Sequence, residues 1–476
     1  MSSSVGFATV KGDKRRIKER AWLSMMKKYT TDYSQHFDTP TLTGICRDLT
    51  SEVTASPDKF ISLFHEAVKD SEVPMRYCIS MLEGFVKTGK LDLMDSAIIE
   101  ILTAINNDVN SDLRGFSLHS LLFALTDAIN SEKLTDVVVS LLCKAAIEYD
   151  DSCDDEHLDN THNLLNFSIN RTRGNACYKL VECIRTPKYT NQILEALEKA
   201  AASDSVSTRG AILINLAACL NADRNRTLQM FLSATRDHHP AIMNMPLHNY
   251  NPIIYLIKTN FSDLRNYFEE GIKAEECHRP IAEALFLAWF WRDNQDAKEF
   301  LDKMISYHQE AKDVLMRFFN RNNLYERHSI QYIKTFIKEE NPSKELAEAL
   351  DSMFADRSDL KDYFPELVET YSLSTSVKIS NRTFYKSLVA YSLLKPQKAL
   401  EAIENSLGNY CNSNPDFEIW NSITDVLLQS YNGIYSLHDK NLLPILDKAI
   451  DILDYLLMNS IASSRLAPFF HKLDNE

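Results

Sequence analysis

Chemistry needs particular residue types at particular spacings, and the nearest approach to such a pattern is Gly84-Phe-Val-Lys-Thr-Gly89-Lys90-Leu91, which fits the GxxxxGK part of a phosphate-binding loop. The final position should be Ser or Thr to hold magnesium, and here it is Leu91. A phosphate loop also follows a buried strand, whereas Arg76–Phe85 reads as a helix and Gly89 as the left-handed residue that ends it. Cys153, His157 and His162 could offer zinc ligands, but with no CxxC pair and no finger-like spacing they read as a polar surface loop. The acidic run Asp150–Asp159 lacks the glycine and terminal glutamate of a calcium loop. Gly115-Phe-Ser117-Leu-His119 lacks the second glycine of a nucleophile elbow and falls within a helical pattern. His238-His239-Pro240 marks a helix end. The expectation is a chain with no catalytic residue, no cofactor and no metal ion, and therefore not an enzyme.

Two clusters suit contact better than catalysis. Arg171 and Arg173 either cap helices and bridge neighbouring elements, or line a concave face and pair with acidic groups of a ligand. In Trp289-Phe290-Trp291-Arg292, three consecutive rings span most of a helix's circumference, so at least one should reach the surface. Tryptophan and arginine are the residues most enriched at binding hot spots. Arg171, Arg173, Trp291 and Arg292 are the candidates for protein contact.

The elements that must position these residues are helices. Only 11 of 476 residues are glycine, too few for the turns of a nucleotide-binding α/β fold or an all-β fold. Leucine, alanine, lysine and glutamate dominate long stretches, and apolar stripes recur at helical spacing, as in Ile193, Leu194, Leu197, Ala200 and Ala201. Another such stripe is Leu442, Leu446, Ala449, Leu453 and Leu456. A capping residue before proline marks helix starts at Thr39-Pro40, Ser56-Pro57, Asn341-Pro342 and Asn414-Pro415. The net charge of −14 disfavours wholesale wrapping of nucleic acid. Nine cysteines form no CxxC pair and most lie in apolar helical runs, which predicts reduced, buried thiols in a cytoplasmic protein. No apolar stretch reaches the roughly 18 residues of a membrane span, and the N-terminus lacks the apolar run of a signal peptide.

A fixed unit recurs along the first half. Asp70-Ser-Glu-Val-Pro-Met-Arg76, Ser111-Asp-Leu-Arg114-Gly115, Arg171-Thr-Arg173-Gly174 and Asp204-Ser-Val-Ser-Thr-Arg209-Gly210 each open an apolar helical run. This resembles the second-helix start of HEAT repeats, in which the aspartate caps the helix and the arginine bonds to the neighbouring repeat. The arginines are 38, 59 and 36 residues apart. Two spacings suit a helix-pair repeat, and the surplus of about 20 residues in the third is assigned to the acidic run, which carries no Lys or Arg. After about residue 240 the signature fades and longer, aromatic-rich helices look TPR-like or irregular. The expected fold is all-α, an α-solenoid of stacked helix pairs. Its segments are a flexible basic arm (1–20), helical repeats (21–149), an acidic loop (150–160), HEAT-like repeats (161–240) and C-terminal helical repeats (241–476).

The segment Asn163-Leu-Leu-Asn166-Phe-Ser-Ile-Asn170-Arg-Thr-Arg173-Gly174-Asn-Ala-Cys-Tyr-Lys-Leu180 resembles a recurrent stretch in the C-terminal helical-repeat sensors of bacterial antiviral STAND NTPases, the Avs family. The likeness is specific over about 20 residues and architectural elsewhere. It implies a long α-helical array that recognises a folded, phage-encoded protein by shape and acts with a companion NTPase or effector. The NTPase and effector domains of that family are missing from this sequence, so a detached sensor or a separate subunit is expected. The competing expectations are a nucleic-acid-associated HEAT-like protein that uses the basic stretch 11–28, and a general scaffold or adaptor.

Overall fold

The computed structural model describes residues 14–33, 39–107, 111–130, 134–149, 161–243, 253–355, 360–407 and 417–435, with Val10 and isolated positions between 444 and 454. The acidic run Asp150–Asp159, the helix start expected at Asn414-Pro415 and all five residues of the stripe Leu442, Leu446, Ala449, Leu453 and Leu456 lie outside the described residues. The described residues are helical almost throughout, and no strand occurs among them. The chain is all-α, and it divides into two compact units, Met1–Pro280 and Ile281–Glu476.

Within the first unit the helices stack in two layers. Leu42–Ala55, Met75–Thr88, Ser111–Ala124, Thr172–Cys183 and Val206–Asn215 pack side by side in one layer. The other holds Ile61–Lys69, Leu91–Asn107, Asp136–Glu148, Thr190–Ala201 and Arg224–Ala234. Pairs form across the layers between Ile61–Lys69 and Met75–Thr88, Leu91–Asn107 and Ser111–Ala124, Asp136–Glu148 and Thr172–Cys183, and Thr190–Ala201 and Val206–Asn215. The arginine-bearing starts therefore belong to the second helix of each pair. Burial of each stripe depends on its neighbours, because a single pair of helices cannot cover its own apolar face.

The surplus between Arg114 and Arg173 contains more than a loop. A ten-residue helix, Thr161–Asn170, packs on both Thr172–Cys183 and Val206–Asn215. Glycine makes that approach possible. A Cβ at Gly174 would lie 1.9 Å from the Ser168 carbonyl oxygen, and one at Gly210 would lie 2.9 Å from the Ser168 hydroxyl oxygen and 3.1 Å from Leu164.

Helix starts fall within about two residues of those expected, but the capping groups differ. Thr41, not Thr39, accepts a hydrogen bond from the Gly44 N–H, and Ser343, not Asn341, accepts one from Leu346. At the HEAT-like start, Ser205 rather than Asp204 caps Val206–Asn215, taking the Thr208 N–H at 3.2 Å. Asp204 lies one residue too far out to reach that turn, and it pairs with Arg236 instead. The N-terminal helix begins at Glu19, inside the stretch read as an arm, and is anchored by the fully buried Trp22 against Phe60. Lys14 binds the buried Asp48, which also takes the Val10 N–H at 2.8 Å.

The second unit repeats the plan with different chemistry. The helices Glu310–Asn322, Lys344–Ser352, Arg382–Ser392 and Phe417–Tyr435 begin 34, 38 and 35 residues apart, close to the 34-residue step of a TPR array. Gln295–Tyr307, Arg327–Ile337, Phe364–Ser372 and Pro396–Leu407 alternate with them and pack against them. Aromatic rings fill this core, with Phe286 and Phe319 at 4.7 Å between centroids. The buried carboxylate of Asp351 accepts the Thr383 and Phe384 N–H groups, so one repeat caps the helix of the next.

Candidate interaction surface

The near-miss phosphate loop is a helix end. Gly84 lies inside Met75–Thr88 and packs on Val53, Gly89 closes the helix at φ 72°, and the Lys90 ammonium grips both Asp58 oxygens at 2.6 and 2.8 Å. Ser117 and His119 lie within the helix Ser111–Ala124, with no elbow. Cys153 and His157 are outside the described residues. The described cysteines are buried and form no disulfide among the described residues, and burial pushes thiols such as Cys78 up to about 12. Such thiols are poor nucleophiles at neutral pH.

The two arginines of the quoted segment take structural partners. The Arg173 Nε donates to the Ala146 carbonyl at 2.7 Å, near the end of the helix Asp136–Glu148 in the same pair. Arg171, at the helix start, holds its guanidinium 4.3 Å from the centre of the Phe167 ring. The equivalent Arg209 is almost fully buried, forks onto Asp237 at 2.7 and 2.8 Å, and reaches the Ala234 carbonyl. The side chain of Arg114 is outside the described residues. In the second unit Trp289 is buried, Phe290 and Trp291 are half-buried, and Arg292 is exposed at the helix end.

A surface that the sequence motifs do not mark lies in the first unit. Thr43, Arg47, Thr50 and Thr54 share one face of Leu42–Ala55, while Arg76, Ile79, Glu83 and Lys87 share one face of Met75–Thr88, as spacings of three and four residues require. Together with Ser120 and Phe123 of Ser111–Ala124, these faces enclose a groove of about 860 Å³. Arg47, Arg76 and Lys87 are its cations and Glu83 its one acid, although acids outnumber bases 66 to 52 in the whole chain. The groove's lining is thus richer in cations than the chain as a whole, although Lys87 pairs with Glu83 and Arg76 with Asp32.

Hydroxyls form the groove's floor. Thr50 donates to the Ser80 carbonyl at 2.9 Å, Ser80 to the Arg76 carbonyl at 2.9 Å, and Thr54 to the Thr50 carbonyl at 2.6 Å. Each hydroxyl oxygen keeps acceptor capacity after that donation. Phe123 stands at one side with 51% of its surface exposed. Behind it lies Lys179, only 5% exposed, whose ammonium donates to the Thr126 hydroxyl at 2.8 Å and sits 5.8 Å from the Phe123 ring centre. Burial lowers the Lys179 pKa, and burial with the Lys179 charge lowers that of His119, whose ring meets Phe123 edge-on.

A larger cavity of about 1290 Å³ borders Arg76 at the rim of the same unit. Its acids are committed within the fold: Asp32 accepts from the Thr43 N–H, the Thr43 hydroxyl and Arg76, Asp70 pairs with Lys27, and Glu100 bonds to His65. The groove's residues escaped sequence reading because an exposed cation among hydroxyls at helical spacing looks like any solvated face. Only Arg76, as the start of a repeat, and Lys87, inside the near-miss phosphate loop, fall in sequence motifs.

No protein-family model matches the chain, and no curated protein matches it. Among solved structures it is similar to a circular tandem repeat protein with novel repeat topology and enhanced subunit contact surfaces. The identity is 11%, the match covers 94% of this chain and 99% of that one, and the TM-score is 0.23. No helix among the described residues is long and apolar enough to cross a membrane.

Proposed function

We infer that this chain is a protein-recognition module that works by binding rather than by catalysis. The observation that carries the reading is the side-by-side stacking of helices into layers, which builds an extended surface from rigid elements at little cost in loop ordering. The more specific reading is a cytoplasmic target sensor of a bacterial anti-phage system, gripping a folded phage protein and acting with a companion NTPase or effector. Its support is the resemblance at Asn163–Leu180, and buried cysteines with no disulfide among the described residues suit a reducing compartment. Arg171, Arg173, Trp291 and Arg292 are proposed contacts, with the exposed Arg292 the best of them and Arg173 the weakest, because Arg173 already serves Ala146. The nucleic-acid alternative loses support in the basic stretch, where Lys14 pairs with Asp48 and Lys27 with Asp70 and Glu72.

A pull-down from phage-infected cells with the intact chain tests this reading. Enrichment of one phage protein, weakened by Arg292→Glu, is the expected result. Retention of nucleic acid alone, in a salt-sensitive manner, overturns it.

A further inference from the structure

We propose that the groove across Leu42–Ala55, Met75–Thr88 and Ser111–Ala124 is a docking site for an extended acidic peptide segment of a partner protein. The proposal rests on the protein-recognition reading and specifies which surface is used and what it takes.

Charge complementarity selects the occupant. Arg47, Arg76 and Lys87 line the groove with Glu83 as its one acid and Asp32 beside Arg76 just outside it, in a chain of net charge −14. Each cation already has a partner within the chain: Lys87 holds Glu83 at 2.6 Å and Arg76 holds Asp32 at 3.3 Å, while Arg47 has contacts of its own. These side chains are about 40% exposed in the Lys87–Glu83 and Arg76–Asp32 pairs, and exposed ion pairs contribute little to stability, so a ligand carboxylate can exchange for the internal one. The guanidinium groups favour carboxylates because their paired N–H groups match both oxygens.

Length and conformation follow from the helices. Packed neighbours lie roughly 8–10 Å apart, so crossing three of them spans roughly 16–20 Å. An extended strand covers that distance in about six residues at about 3.3 Å each. An extended segment brings unpaired backbone N–H groups, and the floor offers the Thr50, Thr54 and Ser80 oxygens, whose protons are already given to helix carbonyls. The exposed ring of Phe123 gives one apolar or aromatic residue of the segment a surface to cover. A helix lying in the groove would keep its own N–H groups and leave the hydroxyls unused.

The test is fluorescence polarisation with the full chain and a labelled hexapeptide of Asp and Glu with one central Phe. Saturable binding is expected, weakened roughly tenfold or more by the double reversal Arg47→Glu with Lys87→Glu and several-fold by the milder Arg47→Gln with Lys87→Gln. It should be unchanged by Lys398→Glu in the second unit. Circular dichroism verifies that each variant keeps its helices. Loss of sensitivity to the groove variants overturns the proposal, as does absence of binding at about 1 mM peptide. So does tighter binding of a single-stranded oligonucleotide with the same sensitivity, which would make the groove a nucleic-acid site. If neutralising the acids of Asp150–Asp159 tightens the peptide roughly tenfold, the chain's own acidic run is the occupant and the partner assignment falls. A pull-down that captures its protein equally well with the groove reversal refutes the groove and spares the recognition module. Peptide binding without any captured phage protein refutes the sensing role and spares the groove.

Discussion

Arg209 is among the largest side chains sealed inside the first unit, and its fork onto Asp237 ties the second helix of one pair to the turn after the next helix. Burial alone would raise the Asp237 pKa, but the hydrogen bonds and charge of Arg209 overcome it and hold the carboxyl at about 2, below its ordinary 3.8. A depressed carboxyl stabilises the fold above the unfolded pKa and loses that contribution as pH falls through the folded one. Arg209→Met should therefore destabilise the protein at pH 7, by only about 1–2 kcal/mol, because the carboxylate left behind at Asp237 is half-exposed and water can solvate it. The gap in melting temperature between wild type and variant should narrow as pH drops from about 4 toward 2. A gap that stays constant over that interval would mean that the ion pair is not its source. Lys179 carries the opposite sign. Burial lowers its pKa, so the folded chain holds an unfavourable ammonium at neutral pH and gains stability only as pH rises toward the ordinary 10.5. Lys179→Met, nearly the same length and apolar, should raise the melting temperature at pH 7 by the equivalent of about 1 kcal/mol, with the gain shrinking in alkali. A lower melting temperature would show that the bond to Thr126 outweighs desolvation.

At the scale of elements, the repeat starts were legible because an arginine recurs before apolar runs at steps of 38, 59 and 36 residues, followed by glycine at three of the four starts. The reason for the glycine was not. The atoms it must avoid belong to Leu164 and Ser168, 46 and 42 residues before Gly210, on a short helix inside the stretch expected to hold HEAT-like repeats (161–240) but with no separate signal of its own. With five asparagine, serine or threonine residues, Thr161, Asn163, Asn166, Ser168 and Asn170, that helix has a weak stripe, and its stability comes from the layer beneath it. The caps were misjudged for a related reason: proline shows where a helix starts, but which hydroxyl reaches the free N–H is set by the turn geometry, as Thr41 and Ser343 demonstrate. Two glycine substitutions separate packing from propensity. Alanine favours a helix by about 1 kcal/mol over glycine. At Gly433 the new methyl would meet nothing closer than 3.8 Å, so Gly433→Ala should be neutral or slightly stabilising. At Gly174 it would strike the Ser168 carbonyl at 1.9 Å, so Gly174→Ala should cost roughly 1–3 kcal/mol despite the propensity gain. Equal melting temperatures for the two variants would mean that the helix Thr161–Asn170 does not press on the layer as described.

At the scale of the whole molecule, a net charge of −14 opposes the approach of any acidic ligand, while the groove's cations attract it at contact. The two effects have different ranges, and salt separates them. At about 0.01 M ionic strength the screening length is about 30 Å, so a ligand in the groove feels the repulsion of most of the first unit's surface. At about 0.1 M it is about 10 Å, which silences distant carboxylates but leaves pairs at hydrogen-bond distance largely intact. At about 1 M it is about 3 Å, and the contact pairs weaken as well. Affinity for the acidic hexapeptide should therefore pass through a maximum near 0.1 M salt, where the local sign of the groove prevails over the global sign of the chain. A site built for a polyanion behaves otherwise, because release of condensed counterions makes its affinity fall steadily from the lowest salt upward. Polarisation titrations across this range read the difference directly: a steady fall would mean that the net charge has no hold on the groove. A steady rise to 1 M would mean that the cations there attract nothing. The variant Arg47→Glu with Lys87→Glu should remove the maximum and leave only the rise, since the repulsion remains when the attraction is gone.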